Sequence, residues 1–548
     1  MSDAIPIEEL KAPAERVLPE TSLMQDLPPP STRINTNTIS TVESRGDAKE
    51  VTIRQVGPLV LILTGATFLN TLSIQAVVIL LPQMSRDLNI PSTRQQWIIS
   101  AYALTSGSFL LLFGKLGDVY GKRLIFISGC FWVAAVSLGT AFSPVEICLY
   151  VMRALQGLAS AATIPSAIGI LGYTIPPGRV KNYSFAFYSG GAPVGQAMGN
   201  IVGGIISQYT SWKVVLFVIA GASCIMGITA IFAIPKEPGR KEHPEDLPRA
   251  SGVDWIGAFL FTSGTLLLII SLSEGTSQGW NSGFVIGILI TSVIFLLAFV
   301  YWQHYLERKA VKEPLMPVSR FKNARFSFAM VIVFLFSGGF TNFMLYSTYF
   351  YQDYQHQSPL QTMLRFLPLG VVGILTTIAS GYLLSRLRGD FILIFGLVSS
   401  SIANVLFAVP IPPSTSYFAY GMPAMALSAF GVDTVYTCLG LFTTQALPRK
   451  DQGIAGAMFQ TVAAMGRAIS LPVIETAQSA VQEKQLKNGR TELSAYLEGL
   501  RAAEWVCFGC MVACLGVTIC CLRNIGKIGL LKKLGQVQSA SKEKDSEK

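Results

Sequence analysis

Residues 114–123 read Gly-Lys-Leu-Gly-Asp-Val-Tyr-Gly-Lys-Arg, a short charged turn set between two apolar runs, 97–115 and 124–142. The glycines Gly114, Gly117 and Gly121 let the flanking helices close tightly on each other. Asp118 stands beside two cations, Lys122 and Arg123, so one carboxylate can exchange partners when those helices move. The stretch reads as a latch, and the rest of the chain repeats the apolar unit on either side of it.

From Pro58 onward there are about fourteen runs of about 18 to 26 mostly apolar residues, each long enough to cross a hydrocarbon layer of about 30 Å as a helix. Among them are 58–82, 183–206, 282–303, 325–351, 452–476 and 502–522. Each must be helical, because a backbone in lipid has to satisfy its own hydrogen bonds. Composition agrees: the 548 residues are 51% hydrophobic and only 14% charged, against roughly 25% charged in a soluble protein. The net charge of +10 falls in short groups between apolar runs, without the continuous basic stripe that nucleic acid requires. With the N-terminus inside, cytoplasmic loops hold about nineteen Lys and Arg and the opposite loops about eight, which sets both termini in the cytoplasm. The Pro-, Ser- and Thr-rich tail 1–56 reads as disordered.

A weaker copy of the latch, Gly381, Leu383, Ser385, Arg386, Arg388 and Gly389, follows the tenth run, with Ser385 in place of Asp118. Two related turns after equivalent spans are what a duplicated six-helix unit predicts. The first turn resembles the signature loop of the major facilitator superfamily. Arg153, Gln156 and Gly157 resemble its Arg-x-x-Gln-Gly element, and Gly195, Gly199, Gly203 and Gly204 its antiporter element, although Asn200 stands where that element has proline. The end of the first span is similar to the fourteen-span drug:proton antiporter branch, yet it carries Asn70 or Ser73 where that branch has an acid. The pattern Asn70, Ser73, Gln75 is closest to fungal aminotriazole-resistance-like transporters.

The resemblance covers about residues 57–523 and implies an all-α integral membrane protein of the major facilitator fold, with two six-helix bundles plus two extra central helices. The expected organisation is a tail (1–56), an N-terminal bundle (57–235), a loop (236–252), two extra spans (253–303), a loop (304–324), a C-terminal bundle (325–523) and a basic tail (524–548).

Ionisable side chains deep in a bilayer cost several kcal/mol, so each one is a functional candidate. Arg153, Asp433 and Arg467 qualify, in spans that the resemblance places around a central cavity. They are the expected proton or ion-coupling residues, with an Asp433–Arg467 structural ion pair as the alternative. Glu475 sits near the outer edge of its span, within reach of water. Asn70, Ser73, Gln75, Gln196, Asn200, Asn342, Tyr346, Tyr436 and Gln460 lie at helical spacings and together suit one wet substrate pocket. His243 and His304 fall in polar loops and His356 beyond a span. Cys507, Cys510 and Cys514 share a helical face, but such thiols are ordinarily small core residues, and no metal or other cofactor is expected.

No nucleophile, base and orienter set and no phosphate-cradling loop is present, so the chain is not read as an enzyme and has no nucleotide-driven pump. The leading expectation is secondary active export of small amphipathic organic molecules (drugs, toxins or secondary metabolites) by proton antiport with alternating access. The alternatives are a carrier for a small inorganic or polar solute such as ammonium, borate or a metal chelate, and a non-transporting receptor that keeps the carrier fold. The expected setting is the plasma membrane, with the vacuolar membrane as the alternative. The expected partners are a small-molecule substrate, protons and membrane lipid, with no nucleic acid, in a monomeric protein.

Overall fold

A computed structural model describes residues 53–91, 94–95, 97–175, 179–235, 253–309, 314–409, 415–445 and 452–522. Both expected tails, except residues 53–56, and the loop 236–252 with His243 lie outside the described residues.

Among the described residues, fourteen long helices follow one another: α1 (Ile53–Asp87), α2 (Trp97–Tyr120), α3 (Lys122–Ala141), α4 (Glu146–Thr174), α5 (Arg179–Tyr209), α6 (Trp212–Ala233), α7 (Trp255–Gln278), α8 (Gly283–Lys309), α9 (Ala324–Tyr349), α10 (Pro359–Arg386), α11 (Gly389–Ala408), α12 (Tyr417–Gln445), α13 (Gln452–Lys487) and α14 (Glu492–Cys521). Among the described residues, thirteen are long and apolar enough to cross a membrane, and the remaining helix, α5, is rich in glycine and amides. Gly191, Gly195, Gly199 and Gly203 lie against α1, and Asn200 accepts a bond from Gln75 there. A Cβ on Gly199 would come within 2.7 Å of the Leu72 carbonyl oxygen, and one on Gly203 within 3.2 Å of Ala76, so small residues let the two backbones touch.

Helix packing repeats itself. In the first half α1 packs on α5, α2 on α4, and α3 on α4 and α6; in the second, α9 packs on α13, α10 on α12, and α11 on α12 and α14. Shifting every label by eight carries one set into the other. The halves meet where α5 packs on α10 and α2 on α13, which is again one contact seen twice. The extra pair α7 and α8 lies between the halves in the chain and beside their seam in space, with α7 against α2 and α13. Ser108 on α2 and Thr265 on α7 share a hydrogen bond of 2.7 Å. Buried Asp254 ties the pair together: it caps Gly257 N at 2.9 Å and accepts from Trp302 at 2.9 Å and Gln303 at 2.8 Å.

Several helices outrun their apolar segments, since hydropathy marks only the part lipid surrounds. α1 continues past Pro82 to Asp87, whose carboxylate accepts from the Trp212 indole at 2.8 Å. α8 runs to Lys309 and places His304 inside a helix, which corrects its assignment to a loop. α13 reaches Lys487 and α14 begins at Glu492, forming a long hairpin that turns at Gly489 with φ +80°. α9 ends in a π turn over Phe350–Tyr354. There the halves are closed on each other: Gln352 donates to the Ile79 carbonyl of α1 at 3.0 Å, and Met363 of α10 fills the space beside Gly204 of α5.

Candidate functional site

The interior of the first half is built around Arg153. On α4, Arg153, Gln156 and Ser160 recur every three to four residues, which puts them on one face; on α1, Asn70 and Ser73 do the same. Arg153 is 1% exposed, and its guanidinium donates to the Ile98 carbonyl at 3.0 Å and to Gln156 at 2.5 Å. The Gln156 amide then donates to Ser73 at 3.0 Å and Ser137 at 2.9 Å. Tyr102 donates to Asn70 at 2.9 Å, Asn70 donates to Ser160, and the guanidinium lies 4.8 Å from the Tyr102 ring centre. Among the described residues no carboxylate pairs with Arg153. Its charge is therefore dispersed over neutral acceptors and a π face.

Gly157 explains why this element ends in glycine. A Cβ there would strike the Tyr102 carbonyl and the Thr105 hydroxyl, and without it Thr105 reaches the Ala154 carbonyl at 2.6 Å. The Arg and Gln wire the interior while the Gly lets α2 press onto α4. Beside this network lies a cavity of ≈ 30 Å³ lined by Asn70, Ser73, Tyr102, Gln156, Ser160 and Thr163 together with apolar neighbours. Most of its surface is apolar, and its volume is that of roughly two waters.

Of the nine expected pocket residues, Asn70 and Ser73 line that cavity, and the others are distributed elsewhere. Gln75 donates to Asn200 at 2.9 Å, joining α1 to α5; a proline at position 200 has no side chain with which to accept that bond. Asn342 bridges α9 to Ser470 of α13 at 2.9 Å. Tyr436 donates to Ser337 at 2.7 Å between the rings of Phe336 and Phe459. Tyr346 is 2% exposed and packs edge-on against Tyr349 in the core of the closed end, away from the cavity. Gln196 and Gln460 are half-buried.

Asp433 on α12 points its carboxylate at Gly373 of α10. Arg467 on α13 makes no ion pair with it among the described residues, and acts instead on Tyr102 across the seam. Of the three expected ionisable residues, Arg153 and Arg467 both act on Tyr102.

In the latch, Asp118 and Lys122 pair at 2.7 Å across one helical turn, and Gly121 takes φ +103°, a conformation side chains resist, so that α2 can turn directly into α3. Arg123 is fastened to the end of α6, donating to the Ile234 carbonyl at 2.9 Å and the Ile231 carbonyl at 2.7 Å. In the second copy, Arg388 holds Asp390 through two bonds of 3.1 and 2.7 Å at the start of α11. The side chains of Gly381, Leu383, Ser385 and Arg386 lie outside the described residues.

Residues 63–471 match the model of the Major Facilitator Superfamily. The chain belongs to that superfamily. It is accordingly a multi-pass membrane transporter and not an enzyme. It is similar to efflux pump terJ of Aspergillus terreus (29% identical, covering 79% of this chain and 81% of that one). It is also similar to the aminotriazole resistance protein (27%, 79% and 78%) and the low affinity ammonium transporter (27%, 72% and 76%), both of Saccharomyces cerevisiae. Among solved structures, a bacterial homologue of the human lysosomal transporter Spinster shares the fold, with a TM-score of 0.56 at 13% identity over 85% of this chain and 97% of that one.

Reading the transporter's sequence missed two kinds of residue. Tyr102, Ser137 and Ser160 complete the Arg153 network from three helices, and no spacing within one helix reveals a partnership between helices. Glu504 was missed although it lies inside the expected span 502–522, where any acid is a signal. Glu475 was read as reaching water at a span edge; because α13 runs on for three turns and packs along α14, it is 8% exposed.

Proposed function

We propose that this transporter exports small amphipathic organic molecules in exchange for protons, alternating between states open to opposite sides. Both termini face the cytoplasm in this reading, so the Asp118 turn is cytoplasmic and the closed end of the bundle is external. The plasma membrane is the favoured location. The observation that carries the reading is the set of ionisable side chains deep in apolar spans, Arg153, Arg467 and Asp433, because lipid penalises each of them. Its relatives support export, since an efflux pump and a resistance protein are among them.

The test is uphill movement of a panel of fluorescent amphipathic compounds in proteoliposomes with an imposed pH gradient. Accumulation abolished by a protonophore is the expected result, and accumulation that ignores the protonophore defeats proton coupling. Asp433→Asn is expected to lose gradient-driven accumulation by more than about tenfold while keeping part of the exchange activity; unchanged accumulation removes Asp433 from the coupling machinery.

A second reading, a carrier for a small polar solute, is favoured by the size of the Asn70–Gln156 cavity, ≈ 30 Å³, and by the ammonium transporter among the relatives. Ammonium flux in the same vesicles, without movement of the amphipathic panel, selects it.

A further inference from the structure

The second half departs from the first at the contact between its last two helices. α13 and α14 pack along each other far more extensively than their counterparts α5 and α6, and that additional contact carries two carboxyl groups. Glu475 on α13 is 8% exposed and Glu504 on α14 is 2% exposed. Glu475 Oε2 and both oxygens of Glu504 are buried without any hydrogen-bond partner. Neither side chain takes part in an ion pair among the described residues, and the nearby Arg501 is engaged by Glu498 at 2.9 Å.

The groups that act on them are neutral or acidic, and the basic residues Arg86 and His356 act on Asp353 instead. From α9 come Tyr346 and Tyr349, which feel Glu475, and Asp353 at the π turn. From α14 come Cys507, which feels Glu504, then Cys510 and Tyr496. α11, which also packs on α14, has Asp390 as its only ionisable residue, and that lies at its far end. These elements, with Leu72, Leu80 and Ile98 of the first half, form one apolar core that joins the two halves at the closed end. An ionised carboxylate enclosed there with no donor bonded to it and no cation paired with it costs several kcal/mol, whereas a protonated one does not. Sealing this end therefore requires neutral carboxyls, and parting the halves readmits water and lets them ionise.

We propose that Glu475 and Glu504 are proton-binding sites that govern the closed end of the transporter, protonated when the two halves seal and ionised when they part. Each event is a simple transfer: a carboxylate takes a proton from hydronium, leaving water, and returns it to water on opening. The proposal deepens the proton-coupled reading and rests on it only for the step from gating to transport.

The experiment uses the full chain in proteoliposomes without a substrate. Infrared difference spectroscopy looks for a protonated carboxyl band at neutral pH. In parallel, spin labels on the two halves at the closed end report their separation from about pH 5 to about pH 9, a range that a buried carboxyl titrates within. Wild type is expected to show the band and to open as pH rises. Glu475→Gln and Glu504→Gln, neutral mimics of the protonated form, are expected to lose part of the band, and the double variant to stay closed throughout. Absence of the band in wild type, a measurement that needs no variant to fold, overturns the proposal; so does a double variant that opens at the wild-type pH. If the gate responds as expected while a protonophore leaves uphill flux untouched, the gate stands and the coupling reading falls.

Discussion

The two halves of the transporter repeat one packing plan and fill it with opposite chemistry. In the first half a buried cation, Arg153, is wired through Gln156 to Ser73 and Ser137 and through a carbonyl to α2, so that its interior is a bonded network. In the second half two buried acids, Glu475 and Glu504, are wired to nothing. A duplicated fold therefore preserves which helices touch and leaves free what they carry. A network that bonds its charge holds one arrangement, while an unbonded acid leaves its surroundings sensitive to protonation. The halves differ in this way as scaffold and switch.

That contrast can be broken most directly from the first half. Gln156→Ala withdraws an acceptor from a buried guanidinium and leaves the Ser73 and Ser137 hydroxyls without their donor; the expected loss is about 3 to 5 kcal/mol, since unpairing a buried charge is among the largest single effects. Thermal unfolding in detergent measures it. Glu504→Met in the second half is expected to be neutral or stabilising, because an unpartnered polar group is replaced by an apolar one of similar length. If Gln156→Ala is harmless and Glu504→Met severe, the assignment of scaffold and switch is reversed.

A smaller effect sharpens the picture of how the first half is held. Gly199→Ala places a methyl within 2.7 Å of the Leu72 carbonyl and 2.9 Å of the Gln75 Cβ, so α1 and α5 must separate, at an expected cost of about 1 to 3 kcal/mol. Gly221→Ala, with nothing within 4 Å, is the control and is expected to be neutral or slightly stabilising. Equal melting temperatures for the two variants would mean that the glycine stripe does not set the α1–α5 approach. The smallest stability change is expected for Asp118→Ala. Its pair with Lys122 is largely exposed, so the loss is within about 0.5 kcal/mol, yet transport is expected to fall severalfold because the latch loses its carboxylate. Transport at the wild-type rate would end the latch assignment.

Much of this was legible in the chain itself. Apolar runs of span length revealed the helices, because lipid admits few alternatives, and the Gly114–Arg123 turn with its weaker copy revealed the duplication. Helix ends were less legible: the polar stretch after Thr476 continues α13 on helix propensity and on packing with α14, neither of which hydropathy records. The pocket was least legible. Gln75, Asn200, Asn342 and Tyr346 have the polarity and spacing of lining residues, but their partners on neighbouring helices absorb them into bonds and core.

Sequence alone determined that this protein lives in lipid, that it is built of repeated helices, and that acids and arginines lie within its spans, since each of these depends only on local composition along one helix. Tertiary structure decided which of those charges are satisfied. Arg153 gained acceptors from α2 and α4 and, through Gln156, ties to α1 and α3, while Glu475 Oε2 and both oxygens of Glu504 met no hydrogen-bond partner. Hydrogen-bond partners are contributed by helices far apart in the chain, and only their packing brings them within reach.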